Sequence, residues 1–190
     1  MTEHLAKGIQ IAENEGVQLI IIQLSIPGRR IAIMQEVMAE IRPSSFPVLV
    51  DVSLFRATAG SAGTAITLEG HRAVMVPDTA LGTASPLGSA GKDIGETMKR
   101  KPQEIIKVQI RSLTKDRGQQ AFAFPETTGG SAKAATAPEA LDAGLFDYTA
   151  EDIHDFLRQI DGSAWTAHGR AYQPSTKDVK GIHPIGHSKN

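Results

Sequence analysis

The run Val17-Gln-Leu-Ile-Ile-Ile-Gln-Leu24 constrains this chain most. Eight residues with almost no polar alternation suit a strand covered on both faces, as strands of a parallel sheet are. Gly16 precedes the run, and Ser25-Ile-Pro-Gly28 stops it as a turn. Before it, Leu5, Ile9 and Ala12 recur at helical spacing over Thr2 to Glu15, and Gly16 ends that helix. After it, Ile33, Val37 and Ile41 mark one face of a helix over Arg30 to Ile41, halted before Pro43. A second apolar strand, Pro47 to Val52, follows. Helix, strand, helix, strand in that order predicts right-handed crossovers and a layered α/β fold with a mostly parallel sheet and flanking helices.

The next stretch, Arg56-Ala-Thr-Ala-Gly-Ser-Ala-Gly-Thr64, is small-sided, with Ser61 between Gly60 and Gly63. It predicts a strand end, a tight turn and a helix start, because small residues let backbone bend and pack closely. Two readings fit Ser61. A helix beginning just after it would aim free N–H groups at the serine, a setting for a nucleophile beside an oxyanion hole. A Gly/Ala-rich helix start that merely lets two elements touch is the commoner case on composition.

Downstream, His71 to Val76 reads as a third strand and Leu81 to Lys92 as a small-residue loop. A helical pattern runs from Gly95 to about Arg117, with Pro102 expected in its first turn or at a break. Thr127 to Thr136 is polar and predicts a mobile segment. Pro138 to Asp142 predicts a short helix capped by Gly144, with a last strand at Leu145 to Asp147. Thr149 is placed to cap a helix through Ile160. A domain over 1–162 and a flexible tail over 163–190 are expected.

Composition narrows the function. The chain has 190 residues, no cysteine, and a net charge of −1 from 20 basic and 21 acidic residues. Disulfides and thiol catalysis are excluded, and nothing points to a nucleic-acid surface. The apolar run at Leu19 to Leu24 is too short to cross a bilayer, and no signal peptide follows Met1, which predicts a soluble chain of unknown compartment. His71 reads as a packed histidine rather than a base, and Ser85, before Pro86, as part of a turn. His168, His183 and His187 lack ligand spacing. No metal and no cofactor are expected.

Several blocks in succession resemble one family: Ile20-Ile-Ile-Gln-Leu-Ser-Ile-Pro-Gly28, Ser61-Ala-Gly-Thr64, His71 to Pro77, Leu81-Gly-Thr-Ala-Ser-Pro86, Lys101 ten residues before Arg111-Ser-Leu113, and Pro138 to Asp147. Their order and spacing over about residues 5–162 are similar to the membrane-associated serine proteases called nodulation-efficiency protein D, or NfeD. Those proteases have a ClpP/crotonase fold, with signal peptide peptidase A as a more distant relative. The resemblance implies a Ser61–Lys101 dyad, with backbone N–H groups of Ala62 and of Gly28 or Arg29 as the oxyanion hole. It implies cleavage of hydrophobic segments in a stomatin-like membrane protein, and a homo-oligomer. A serine hydroxyl needs a base, and a lysine serves as one once desolvation lowers its pKa.

Four departures stand against the family pattern. Arg29 and Arg30 replace its second glycine, the lead-in to Ser61 is two residues longer, Pro102 adjoins Lys101, and the family's first edge strand, signal peptide and transmembrane helices have no counterpart here. The Arg29–Arg30 turn and the missing edge strand favour the alternative of a catalytically impaired interaction module that binds such partners without cleaving them. An acyl-CoA enzyme of the crotonase type is a third reading, with no acyl-thioester pocket evident in the sequence.

Overall fold

The computed structural model describes residues 2–24, 31–52, 58–82, 96–115, 117, 121 and 134–177. Four strands form a parallel sheet in the order β1-β2-β4-β7: β1 (Ile20–Gln23), β2 (Val48–Val52), β4 (Arg72–Met75) and β7 (Tyr148–Thr149). Helices α1 (Thr2–Glu15), α2 (Ile31–Ile41), α3 (Ser61–Glu69) and α4 (Glu96–Thr114) are joined by the short α5 (Ala137–Asp142) and by α6 (Ile153–Ile160). A second sheet has the order β3-β5-β6, from β3 (Thr58–Gly60), β5 (Ala80–Gly82) and β6 (Ala134–Thr136). The hairpin β8 (Trp165–Ala167) and β9 (Arg170–Tyr172) completes the described chain. The sequence expectation of a layered α/β fold with a mostly parallel sheet holds.

All five residues of β2 are buried, four of them apolar and the fifth, Asp51, accepting a hydrogen bond from Gln23 at 3.3 Å. Val48, Val50 and Val52 join the core under α2 and α3, with Met34, Ile41, Ala65 and Ile66. Leu49 faces the other way, into a smaller core with Val74, Phe156, Ile160, Trp165 and Tyr172. The sheet is therefore covered on both sides, by α2 to α4 on one and by α6 with the hairpin on the other. Gly70, just past α3, is a packing requirement. A Cβ there would lie 2.8 Å from Val50 Cγ2 and 3.1 Å from the Arg72 carbonyl, so only glycine lets α3 turn into β4 this close to β2.

Several boundaries differ from the sequence expectation, each for a local reason. β1 begins at Ile20 rather than Val17, because the ladder to β2 starts where the Ile20 N–H meets the Pro47 carbonyl at 2.9 Å. Residues 80–82 and 134–136, expected in loops, pair antiparallel as β5 and β6. Helix α4 runs through Pro102 without a break. One missing N–H is offset there by the burial of Ile106 and Ile110 further along. The closing strand is Tyr148–Thr149, not 145–147, because Asp147 is committed to Ala73 by both backbone and side chain. Its N–H reaches the Ala73 carbonyl at 3.0 Å, and its carboxylate accepts the Ala73 N–H at 2.9 Å. With Thr149 held in that strand, the cap of α6 falls to Asp152, which accepts the Asp155 N–H at 2.7 Å.

Residues beyond Gly162 were expected to lack fixed structure, and through Lys177 they do not. His168 and Gly169, with φ of 48° and 77°, make the two-residue turn of β8–β9. Trp165 and Tyr172 sit opposite each other and bury their rings on the smaller core. Thr176 then ties the chain back, its hydroxyl 2.6 Å from the Leu157 carbonyl and its N–H 2.7 Å from the Asp161 carboxylate. Residues 178–190 lie outside the described residues.

Candidate active site

The centre of interest is the junction of β3 and α3. β3 ends at Gly60 and α3 begins at Ser61 itself, one residue earlier than the sequence suggests. The Thr64 hydroxyl donates to the Ala59 carbonyl at 2.8 Å and holds the junction shut. Ala59, Ala62 and Ala65 are buried, so the small residues of this stretch do let helix, strand and sheet touch. The N–H of Ala62 falls among the first four of α3, which have no acceptor within the helix. Position 101 lies on α4, and α4 packs against α3 through the core that holds Ile106 and Ile110. The side chains of Ser61 and Lys101, and the turn that carries Gly28 and Arg29, lie outside the described residues, as does Ser85.

The opposite end of α3 is a polar cluster that sequence reading missed. Glu69 is fully buried, and its carboxylate accepts two hydrogen bonds from the Arg42 guanidinium, at 2.7 and 3.1 Å. That pairing raises the Arg42 pKa above its ordinary value. His168 at the hairpin tip lies 2.9 Å from the Glu69 carbonyl through Nε2, and 3.9 Å from the carboxylate. The one available sequence signal was the His-Gly dipeptide, a two-residue hairpin turn in polar surroundings. A cleft of about 450 Å³, lined by Gln35, Met38, Arg42, Pro43, Glu69 and Gln109, opens at this end of α3, away from Ser61. Among the described residues no group of three or more acidic or histidine side chains is placed to hold a metal.

His71 is a packed histidine. Its Nδ1 accepts the Val48 N–H at 3.2 Å, and its ring meets those of His168 and Tyr172 edge-on, each with centroids 5.0 Å apart. Burial first, and then the nearby His168, Arg170 and Arg72, lower its pKa to about 4. The unfolded chain therefore takes up a proton near pH 6.5 that the folded chain refuses until about pH 4. Stability is full above that window and falls as pH drops through it. Chemical denaturation should show wild type losing about 1–2 kcal/mol more than His71→Gln between pH 7 and pH 5, after allowance for solvent screening. Parallel pH profiles for the two proteins would refute the assignment.

No family model matches the sequence. The chain is 31% identical over 156 residues to the membrane-bound protease PH1510 of Pyrococcus horikoshii, which covers 81% of this chain. It spans about a third (35%) of that relative's length. Among solved structures, the 1510-N membrane-bound stomatin-specific protease, as a lysine-to-alanine mutant in complex with a substrate peptide, matches with a TM-score of 0.78 and 27% identity. That match covers 93% of this chain and 82% of the other. A serine-to-alanine mutant of the same protease matches with a TM-score of 0.78 and 27% identity over 94% and 87% of the two chains. ClpP1 from Listeria monocytogenes shares the fold at a TM-score of 0.60 and 20% identity, over 80% and 85%. Among the described residues no helix is long and apolar enough to cross a membrane. By sequence and fold together, the chain is similar to the NfeD-type proteases and shares the ClpP-like fold.

Proposed function

We propose that this chain is a serine endopeptidase in which Ser61 attacks the peptide carbonyl and Lys101 takes the serine proton and returns it to the leaving amine. The N–H groups of Ala62 and Gly28 receive the oxyanion. The observation that carries the proposal is that α3 starts at Ser61, straight out of a strand, against the helix that bears position 101. The serine and lysine substituted in the 1510-N protease stand 41 positions apart, and Ser61 and Lys101 stand 40 apart. The substrate is a hydrophobic segment of a stomatin-like membrane protein, by analogy with that protease. The active form is a homo-oligomer.

The test is cleavage of a hydrophobic peptide by the wild-type chain and by Ser61→Ala, followed by mass spectrometry. Cleavage by wild type and none above background by Ser61→Ala is expected. Equal cleavage by both, or by neither, would sink the peptidase reading, and tight binding of the intact peptide by both would then favour the interaction module.

A further inference from the structure

We propose that His168 is a positioning residue for Ser61, acting through the far end of α3. This rests on Ser61 being the nucleophile. A backbone carbonyl can only accept, so the 2.9 Å contact requires that His168 Nε2 carry a proton and donate it to the Glu69 carbonyl. That carbonyl is the last of α3, where such groups point along the helix axis and lack a partner within the helix. The bond therefore restrains α3 along its length. Arg170, two residues on, donates to the Ser44 carbonyl at 2.9 Å and to the Pro43 carbonyl at 3.4 Å. One hairpin tip thus grips the end of α3 and the segment after α2 together.

Two features show that this grip is not incidental packing. His168 adopts a positive φ of 48°, where asparagine or glycine is the easy choice. The ring held there reaches the Glu69 carbonyl and also meets His71 edge-on, with centroids 5.0 Å apart. Glu69, in turn, is a fully buried carboxylate at the helix end where the dipole disfavours negative charge. Arg42 holds it there with two hydrogen bonds, and the hairpin tip closes on the carbonyl of the same residue. α3 has nine residues, a rod of about 13 Å at the usual rise. So short a helix transmits an axial slip at Glu69 directly to Ser61. A misplacement of about 1 Å at a nucleophile can cost about a hundredfold in rate.

His168→Gly separates the turn from the grip, since glycine suits the turn and cannot reach Glu69. It should lower kcat about five- to tenfold with KM within about twofold, and speed amide exchange across Ala62 to Glu69 at least about fivefold. His168→Gln, which keeps an N–H at similar reach, should recover most of both. Asp152→Ala serves as a control, losing a helix cap elsewhere, and should leave α3 exchange and kcat near wild type. Unchanged α3 exchange in His168→Gly would overturn the anchoring, and faster exchange with wild-type kcat would overturn the positioning role. A wild-type chain that cleaves nothing would sink the peptidase reading separately, with the exchange measurement still deciding the anchoring.

Discussion

Lys101→Arg is expected to be as inactive as Lys101→Ala, each with kcat reduced by about 10⁴-fold or more and melting temperature near wild type. The reason is chemical. A general base must spend time unprotonated, and a guanidinium does not lose its proton in a protein. Arginine would keep the positive charge at position 101 and lose the function. A lysine can be brought into the working range if its ammonium is stripped of water as the site closes. The same argument gives wild type a rate that rises with pH as the general base loses its proton. Substantial activity in Lys101→Arg would mean that position 101 contributes charge, not proton transfer, and that the base lies elsewhere. The measurement is kcat and KM on a hydrophobic peptide with all three proteins, with circular dichroism melts to confirm the fold.

Arg42→Ala is expected to destabilise the fold by about 3 kcal/mol, although the arginine side chain is mostly exposed. The Arg42 side chain is 60% exposed and Glu69 is fully buried. Inspection of the surface would rate such a pair cheaply. The asymmetry decides the matter, because deleting the outer partner strands a carboxylate inside the protein with two hydrogen bonds gone. Arg42→Lys keeps a charge without the two-pronged geometry and should recover about half the loss. The double variant Arg42→Met with Glu69→Leu should recover most of it, since replacing both members removes the buried charge. Urea denaturation of the four proteins measures this. A loss under about 0.5 kcal/mol in Arg42→Ala would place the pair among ordinary surface contacts.

The parts of the fold legible in the sequence were those written in apolar periodicity. Ile33, Val37 and Ile41 gave α2, and the mostly apolar Val-Leu-Val-Asp-Val of residues 48–52 gave a strand buried on both faces. The two-stranded excursions at 80–82 and 134–136 were not legible, because Ala, Gly and Thr carry no period and owe their pairing to each other across the fold. The tail hairpin was missed for a related reason. Its aromatic pair is only two residues, Trp165 and Tyr172, and the rest is small or polar. Of the site, the sequence shows which residue types stand in order around Ser61, and the structure adds that α3 begins there. The Glu69 cluster was illegible because its members, Arg42, Glu69 and His168, are spread over the chain, with Glu69 and His168 alone 99 positions apart, and no spacing rule links them.

The long reach of those contacts bears on how the protein is made. Ala73 waits for Asp147, 74 residues later, and Glu69 for His168, 99 residues later. On the ribosome, the first half of the polypeptide emerges with one flank of β4 unpaired and the Glu69 end of α3 uncapped by the hairpin. Synthesis at about 5–20 residues per second leaves several seconds in that state. The contact that closes the Glu69 end of the helix starting at Ser61 can form only after the last hairpin has been made.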